Sequence, residues 1–146
     1  MSRSVKFPAA KIVERLQKVS ILGSLSVRQL QDLAKWVKVV AFKEGETIVK
    51  EGEEGTGVYL VLKGSAEVRR GTRSVARLGV GQFFGEMSLF DNEPRSADVV
   101  ALQPSRLAVL SKWEFWGFAA SEPAVLLSIL EEMSRRIRAT DRALSE

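Results

Sequence analysis

Arg95 and Glu86 are the residues whose types and spacing indicate a binding chemistry. A guanidinium presents parallel N–H donors that match two phosphate oxygens, so Arg95 suits a single phosphodiester charge. Glu86 would repel such a group, but its carboxylate can accept hydrogen bonds from a nearby sugar hydroxyl. The pair therefore predicts a site for a ligand that carries both a phosphate and a sugar.

The segment 81–97 that holds this pair does not have the pattern of a strand. Gly85 permits a steep backbone turn, and residues 86–90 are long enough for one helical turn whose first N–H groups point at an anion. Pro94 ends this irregular segment and directs Arg95 back toward the anion. We expect backbone N–H groups and the Arg95 side chain to enclose the same anion.

The elements around this segment begin with helices predicted over residues 8–37. Pro8 suits the first turn of a helix, and apolar residues recur behind it at helical spacing. Ser26 followed by Gln29 forms a capping box, which predicts the start of a second helix.

Residues 38–110 contain short apolar runs separated by turn signals. The predicted strands are 39–42, 47–49, 58–62, 66–68, 75–78, 97–102 and 107–110. The connections are too short for crossover helices, so an antiparallel sheet is expected. The predicted fold class is α+β: an antiparallel β-roll or jelly roll with N-terminal helices and a long C-terminal helix. Arg69, Arg70, Arg73 and Arg77 flank one hairpin turn and are interpreted as a solvated face, with a partner surface as the alternative.

The C-terminal region, residues 112–144, is predicted to form two helices. Ser111 followed by Glu114 is a second capping box and begins the shorter one. Four aromatic residues lie in this helix, and core packing is favoured for them over ligand contact. They are Trp113, Phe115, Trp116 and Phe118.

The second helix follows Pro123 and carries apolar residues at heptad spacing. Leu126 and Leu130 are nearest the roll and are expected to pack on it. Ile137 and Leu144 lie far enough along the helix to require a partner. A homodimer through this helix is therefore predicted.

The composition excludes several classes of function. The 146 residues include no cysteine and no histidine, which removes zinc and iron–sulfur sites and the commonest general base. No catalytic residue, metal or required cofactor is predicted. The net charge of +4 is too small and dispersed to indicate a nucleic-acid surface. Without a long apolar run or a secretory signal, one cytoplasmic domain over residues 1–146, with no membrane contact, is expected.

The cassette, residues 84–97, resembles the phosphate-binding cassette of the cyclic-nucleotide-binding domain family. In that family the motif reads Phe-Gly-Glu, then a loop, then Arg-(Ser, Thr or Ala)-Ala. Here residues 84–89 read Phe-Gly-Glu-Met-Ser-Leu, and residues 94–97 read Pro-Arg-Ser-Ala. The similarity continues through residues 42–46 and 58–64 and the last helix. It therefore covers nearly the whole chain, and it includes the ligand-binding domain of the catabolite activator protein.

This resemblance implies roles for individual residues. Glu86 matches the acceptor of the ribose 2′-hydroxyl, and Arg95 matches the phosphate clamp. Thr140 stands where a threonine contacts adenine in the catabolite activator protein, although Asp141 replaces the serine that follows there. Ser96 follows the clamp arginine at the position where cGMP-selective relatives often have threonine, so the resemblance favours cAMP over cGMP as the ligand. The implied ligand-binding residues are Gly85, Glu86, Met87, Ser88, Arg95, Ser96, Ala97 and Thr140.

The function implied by the resemblance is a non-enzymatic sensor. It would bind cAMP, or alternatively cGMP, and signal through the C-terminal helix that its nucleotide site is occupied. Two alternatives stay open: a ligand-free β-roll that serves as a protein-interaction module, and a regulatory module cut from a larger transcription regulator, kinase or channel. No DNA-binding domain is expected within this chain.

Overall fold

The computed structural model of the chain describes residues 3–19 and 22–145. The ends of the predicted 1–146 domain, and positions 20 and 21 of the predicted helical region, lie outside the described residues. The helices are α1 (Ala9–Leu16), α2 (Val27–Ala34), a 3₁₀ helix (Glu86–Leu89), α3 (Lys112–Ser121) and α4 (Pro123–Ser145). The strands are β1 (Arg3–Ser4), β2 (Lys38–Phe42), β3 (Thr47–Val49), β4 (Gly57–Lys63), β5 (Ala66–Arg70), β6 (Arg73–Leu78), β7 (Phe83–Phe84), β8 (Asp98–Ala101) and β9 (Ser105–Ser111).

The strands form two antiparallel sheets, which confirms the predicted α+β roll. One sheet has the order β1-β2-β9-β4-β7, and the other has the order β3-β8-β5-β6. Each of the seven predicted strands is present, with its ends shifted by up to two residues. The two-residue strands β1 and β7 were not predicted, because two residues are too few to show an alternating pattern.

The central strand β4 is buried on both faces, which explains its continuous apolar run. Val58 and Leu60 contact the core that the helices cover, whereas Val61 belongs to a second core between the sheets. Successive side chains of a strand point to opposite faces, so a strand between two layers needs apolar residues at every position. The cassette follows β7, which pairs with this buried strand.

The N-terminal helices are amphipathic and shorter than the predicted region. Ile12 and Leu16 of α1 are buried, and Ser26 begins α2 with the predicted capping box. The Ser26 hydroxyl accepts the Gln29 N–H at 3.1 Å, and the Gln29 side chain accepts the Ser26 N–H at 2.9 Å. This reciprocal pair satisfies two backbone donors that a helix start leaves open.

The predicted second capping box, at the start of α3, forms only in part. The Ser111 hydroxyl accepts the Glu114 N–H at 3.1 Å, but the Glu114 carboxylate accepts from that same hydroxyl, at 2.9 Å. Ser111 is also the last residue of β9, where its backbone is paired with Gly57. The side-chain cap is therefore present without the reciprocal backbone bond.

Two predictions about core packing in the C-terminal helices are wrong. Trp113 is 66% exposed and Trp116 is 45% exposed, although Phe115 and Phe118 of the same helix are buried. Leu130 is 61% exposed instead of packing on the roll, because the buried stripe of α4 runs through Val125 and Ile129. Consecutive residues of a helix point about 100° apart, so burial of residue 129 turns residue 130 to solvent. Within the described part of the chain, no helix is long and apolar enough to cross a bilayer.

Candidate functional site

A cavity of about 300 Å³ lies between the cassette and the second sheet. Seven of the eight predicted ligand-binding residues line it: Gly85, Glu86, Met87, Ser88, Arg95, Ser96 and Ala97. Val49, Val68 and Val99 supply apolar lining from β3, β5 and β8. The cavity thus combines one apolar wall with the polar groups of the cassette.

The Arg95 guanidinium is held at one end of this cavity by backbone and aromatic contacts. Its Nη2 donates a hydrogen bond to the Gly57 carbonyl at 2.9 Å. Its Cζ lies 5.7 Å from the centre of the Tyr59 ring, and that ring stacks on Phe84 with centroids 5.0 Å apart. A cation over an aromatic face is attracted by the electrons of the ring. These contacts fix the position of the guanidinium and leave other N–H donors available to a ligand.

Among the described residues, no carboxylate forms an ion pair with Arg95. Partial burial lowers the pKa of Arg95 from its usual value, and the neighbouring Tyr59 opposes this effect. An arginine remains protonated in proteins even so. The cavity therefore holds a partly desolvated positive charge, which an anion would neutralise.

Gly85 allows the backbone to pass directly beside this guanidinium. Its φ of +82° lies in the left-handed region, which side chains disfavour. A Cβ at this position would lie 2.3 Å from Arg95 Nη1 and 2.8 Å from the Gly57 carbonyl oxygen. Glycine is therefore required here both by conformation and by space.

The 3₁₀ helix that follows Gly85 begins with two residues of the cavity lining, Glu86 and Met87. Its first hydrogen bond runs from the Ser88 N–H to the Gly85 carbonyl at 3.0 Å, so the N–H groups of Glu86 and Met87 precede any intrahelical bond. Ser88 itself is buried. This arrangement suits an anionic ligand, because the residues that carry these donors line the same cavity as Arg95.

The second half of the cassette is fastened to the segment that precedes β4. The Arg95 N–H donates to the Glu53 carbonyl at 2.8 Å, and the Gly52 N–H donates to the Arg95 carbonyl at 2.9 Å. Arg95 is thus bonded on both sides of its backbone. Such support holds its side chain in one orientation.

The first turns of α3 hold the cassette loop, and sequence reasoning missed these contacts. The Lys112 ammonium donates to the Asp91 carbonyl at 3.1 Å and to the Asn92 side chain, and it lies 3.8 Å from the Glu54 carboxylate. The Trp116 indole N–H donates to the Leu89 carbonyl at 2.8 Å. The contacts join residues at least 20 positions apart, and local patterns do not report such pairs.

Thr140 does not lie in the cavity of the other seven residues. It lines a neighbouring cavity of about 360 Å³, with Met133, Arg136, Ile137 and Asp141 of α4. Met87 borders both cavities, so the two spaces are adjacent. The Thr140 hydroxyl donates to the Arg136 carbonyl at 3.1 Å, and its oxygen can still accept a hydrogen bond.

Arg136 connects α4 with the cassette and was also missed by the sequence analysis. Its guanidinium lies 3.9 Å from the Glu86 carboxylate. Arg136 precedes Thr140 by four residues, so the two share one face of the helix. That spacing is the signal that could have identified Arg136. Over residues 3–19 and 22–145, acidic side chains form no group of three or more that could hold a metal ion.

Comparisons with known proteins agree with this geometry. The family model described as the cyclic nucleotide-binding domain matches residues 39–122, which include the cassette. A cAMP-dependent protein kinase regulatory subunit of Debaryomyces hansenii is 37% identical over 101 residues. That match covers 68% of this chain, but the chain spans only 22% of the relative's length.

Two solved structures have the same fold. The N-terminal domain of a transcriptional regulator from Streptomyces coelicolor superposes with a TM-score of 0.84 at 27% identity, covering 89% of this chain and 94% of that one. The regulatory domain of Toxoplasma gondii PKA, crystallised with cAMP, superposes with a TM-score of 0.68 at 26% identity, covering 90% of this chain and 50% of that one.

Proposed function

This chain belongs to the cyclic nucleotide-binding domain family, and we propose that it is a non-enzymatic sensor of cAMP. The proposal is carried by the partly buried Arg95, whose charge has no carboxylate partner among the described residues. A phosphodiester supplies one negative charge with two oxygens, which matches the paired donors of a guanidinium. The N–H groups at the start of the 3₁₀ helix add further donors for those oxygens.

The choice of cAMP is supported by relatives and by Ser96. The Debaryomyces relative is a cAMP-dependent regulatory subunit, and the Toxoplasma domain was crystallised with cAMP. Ser96 lines the cavity beside Arg95, at the position where cGMP-selective relatives often have threonine. The remaining cavity on α4 accepts the base, because Met87 joins it to the phosphate site and Thr140 offers an oxygen to an amino group.

Transmission of occupancy is proposed to begin at the ion pair between Glu86 and Arg136. In the free protein the two side chains are 3.9 Å apart. A ribose hydroxyl that donates to Glu86 competes with the guanidinium for the same carboxylate. Binding therefore changes the attachment of α4 to the cassette, and the altered position of this helix is the output.

The homodimer is proposed to form through the exposed apolar residues of α4. Ile137 is 62% exposed and Leu144 is 81% exposed, although both are large hydrophobic residues. Both belong to a heptad seam of α4, which suits pairing with a second copy of the helix. The residues of this seam are Leu126, Leu130, Met133, Ile137, Thr140 and Leu144. The seam is short, so a modest dimer is expected.

Calorimetric titration with cAMP, cGMP and linear AMP tests the ligand. Saturable binding of cAMP at least tenfold tighter than binding of either other nucleotide is expected, since the cyclic phosphate and adenine are both recognised. Absence of any cyclic nucleotide binding would leave the β-roll as a protein-interaction module. A tenfold preference for cGMP would contradict the assignment of Ser96.

Sedimentation analysis of Ile137→Glu tests the dimer. Leu127→Glu is the matched control, because Leu127 is 60% exposed on the same helix but lies outside the seam. We expect the Ile137 variant to be monomeric while the Leu127 variant associates like the wild type. A wild-type protein that stays monomeric with and without cAMP would exclude this interface.

A further inference from the structure

The hairpin formed by β5 and β6 is a concentrated positive surface. Residues 66–78 include four arginines and a single acidic residue, Glu67. The arginines are Arg69, Arg70, Arg73 and Arg77. Their excess over acids within this one hairpin is three, as four minus one, whereas the whole chain carries only +4. The positive charge of the protein is therefore unevenly distributed.

The single carboxylate of the hairpin is already engaged. Arg69 Nε donates to Glu67 Oε1, and this bond is the main reason why the pKa of Glu67 lies below its usual 4.5. Arg77 stands opposite Glu67 in the strand register and also acts on it electrostatically. Glu67 is only 14% exposed, so it has little room for a further cation.

Arg70 and Arg73 have no such compensation at the tip of the hairpin. They are direct cross-strand neighbours, and both are exposed. Like charges placed opposite each other destabilise a pair of strands. In the parts of the chain that the structure describes, neither residue takes part in an ion pair. An incoming anion would relieve this repulsion.

The same hairpin ends in an open strand edge. β6 is the outermost strand of its sheet and pairs only with β5. Five of its six residues are exposed, including Val75, which is 47% exposed. The sequence of β6, Arg-Ser-Val-Ala-Arg-Leu, contains no proline, but its register against β5 shifts at Val75, so Arg73 and Arg77 lie on opposite faces of the sheet. Such an edge presents unpaired N–H and C=O groups that a further strand can bind.

We propose that the β6 edge docks an acidic, extended segment of a partner protein, which adds as a fifth strand to the sheet β3-β8-β5-β6. The chemistry favours this occupant over other anions, because only a polypeptide can pair with the backbone while acidic side chains on its two faces reach Arg73 and Arg77. A second copy of the same edge is disfavoured, since its arginines would face these arginines.

This inference does not depend on the identity of the nucleotide. Val68 of β5 lines the ligand cavity, whereas the β6 edge faces away from the sheet into solvent. The docking surface and the nucleotide site are therefore separate, and each can be tested without the other.

Binding of synthetic peptides tests the proposal. The probe is a fluorescent octapeptide, Glu-Glu-Thr-Thr-Glu-Glu-Thr-Thr, which places carboxylates on both faces of a strand. Its matched control carries N-methyl groups on every internal backbone nitrogen, so that neither edge of the peptide can donate hydrogen bonds to β6. The protein variants are Arg73→Gln/Arg77→Gln and, as a control with the same change in charge, Arg106→Gln/Arg142→Gln, which alters exposed arginines on β9 and α4. Circular dichroism and thermal unfolding establish that each variant is folded.

We expect the Glu–Thr peptide to bind the wild type and the control variant equally. The Arg73/Arg77 variant should bind it roughly 2- to 30-fold more weakly, as expected for the loss of two exposed charge contacts. The N-methylated peptide should bind several-fold more weakly than the probe.

Three results would overturn the proposal. They are equal binding of both peptides, equal loss of binding in both double variants, and tighter binding of a single-stranded DNA octamer or of anionic phosphatidylserine vesicles. The first would show that charge alone is recognised, without strand addition. The second would place the peptide elsewhere on the protein, and the third would assign the surface to a different class of partner.

Discussion

Replacement of Arg95 by alanine should weaken ligand binding strongly and change the stability of the free protein only slightly, so the two effects can be measured separately. Among the described residues that line the cavity of about 300 Å³, Arg95 is the only one with a cationic side chain. Removing one partner from a buried charge pair costs on the order of 2–5 kcal/mol, or roughly 30- to 4000-fold in affinity. We therefore expect cAMP binding to weaken by that factor.

In the free protein the same substitution should change little. Arg95 makes one hydrogen bond, to the Gly57 carbonyl, and one contact over Tyr59. These contribute about 1–2 kcal/mol together, and the removal of a partly desolvated, unpaired charge offsets much of that loss. The free energy of unfolding without ligand is expected to change by about 1 kcal/mol or less.

Calorimetric titration with cAMP and urea unfolding of the free protein measure the two effects. Arg106→Ala is the matched control, because Arg106 is an exposed arginine on β9 away from the cavity. Arg95→Lys keeps the charge but loses the paired donors, so its affinity should lie between those of wild type and Arg95→Ala. Equal affinity of the alanine variant and wild type, with both folded, would refute the assignment of the phosphate site.

Three further predictions concern the cassette and the basic hairpin. Gly85→Ala should lower the free energy of unfolding by about 1–3 kcal/mol and abolish tight cAMP binding. Gly71 also has a positive φ but lies in open space, so Gly71→Ala should leave cAMP binding intact in the calorimetric titration. Lys112→Met should weaken cAMP binding about fivefold by freeing the cassette loop, while Lys35→Met, which alters a largely exposed lysine, should not. Stopped-flow release of a fluorescent cAMP analogue measures both variants. Equal release rates in Lys112→Met and Lys35→Met would contradict the role of α3. The folded-state pKa of Glu67 is depressed, so its stabilising contribution is present above about pH 4.5 and is lost as the pH falls through the lower folded-state pKa. The difference in unfolding free energy between wild type and Glu67→Gln should therefore shrink from about pH 7 to about pH 3, and an unchanged difference would contradict the ion pair with its arginine neighbours.

Sequence reasoning identified the elements because their signals are local. The Ser26 capping box needs residues only three positions apart, and the strands follow from continuous apolar runs between turns. The cassette was found in the same way, since its two halves lie within 14 residues. Seven of the residues predicted there line one cavity.

Contacts between distant elements were beyond such reasoning. The heptad pattern of α4 does not show how the helix is rotated about its axis against the core. For this reason Leu130 was predicted to pack on the roll, although it is exposed, and Ile129 was not predicted to be buried, although it is. Likewise, Lys112 and Arg136 were ordinary surface cations until the fold brought the first to the cassette loop and the second to Glu86. Rotation and tertiary approach depend on packing, which local sequence does not encode.

The stack of Tyr59 on Phe84 beneath Arg95 gives this protein an internal optical probe. Tyr59 is the only tyrosine in the chain, so its phenol can be followed without substitution or labelling. Burial raises its pKa above 10.0, and the positive charge of Arg95 partly counters that rise. An anion bound to Arg95 would cancel the counteracting charge, so we expect a filled site to move the phenolate absorbance transition of Tyr59 to higher pH. The ultraviolet spectrum of one natural side chain would then report whether the site is filled.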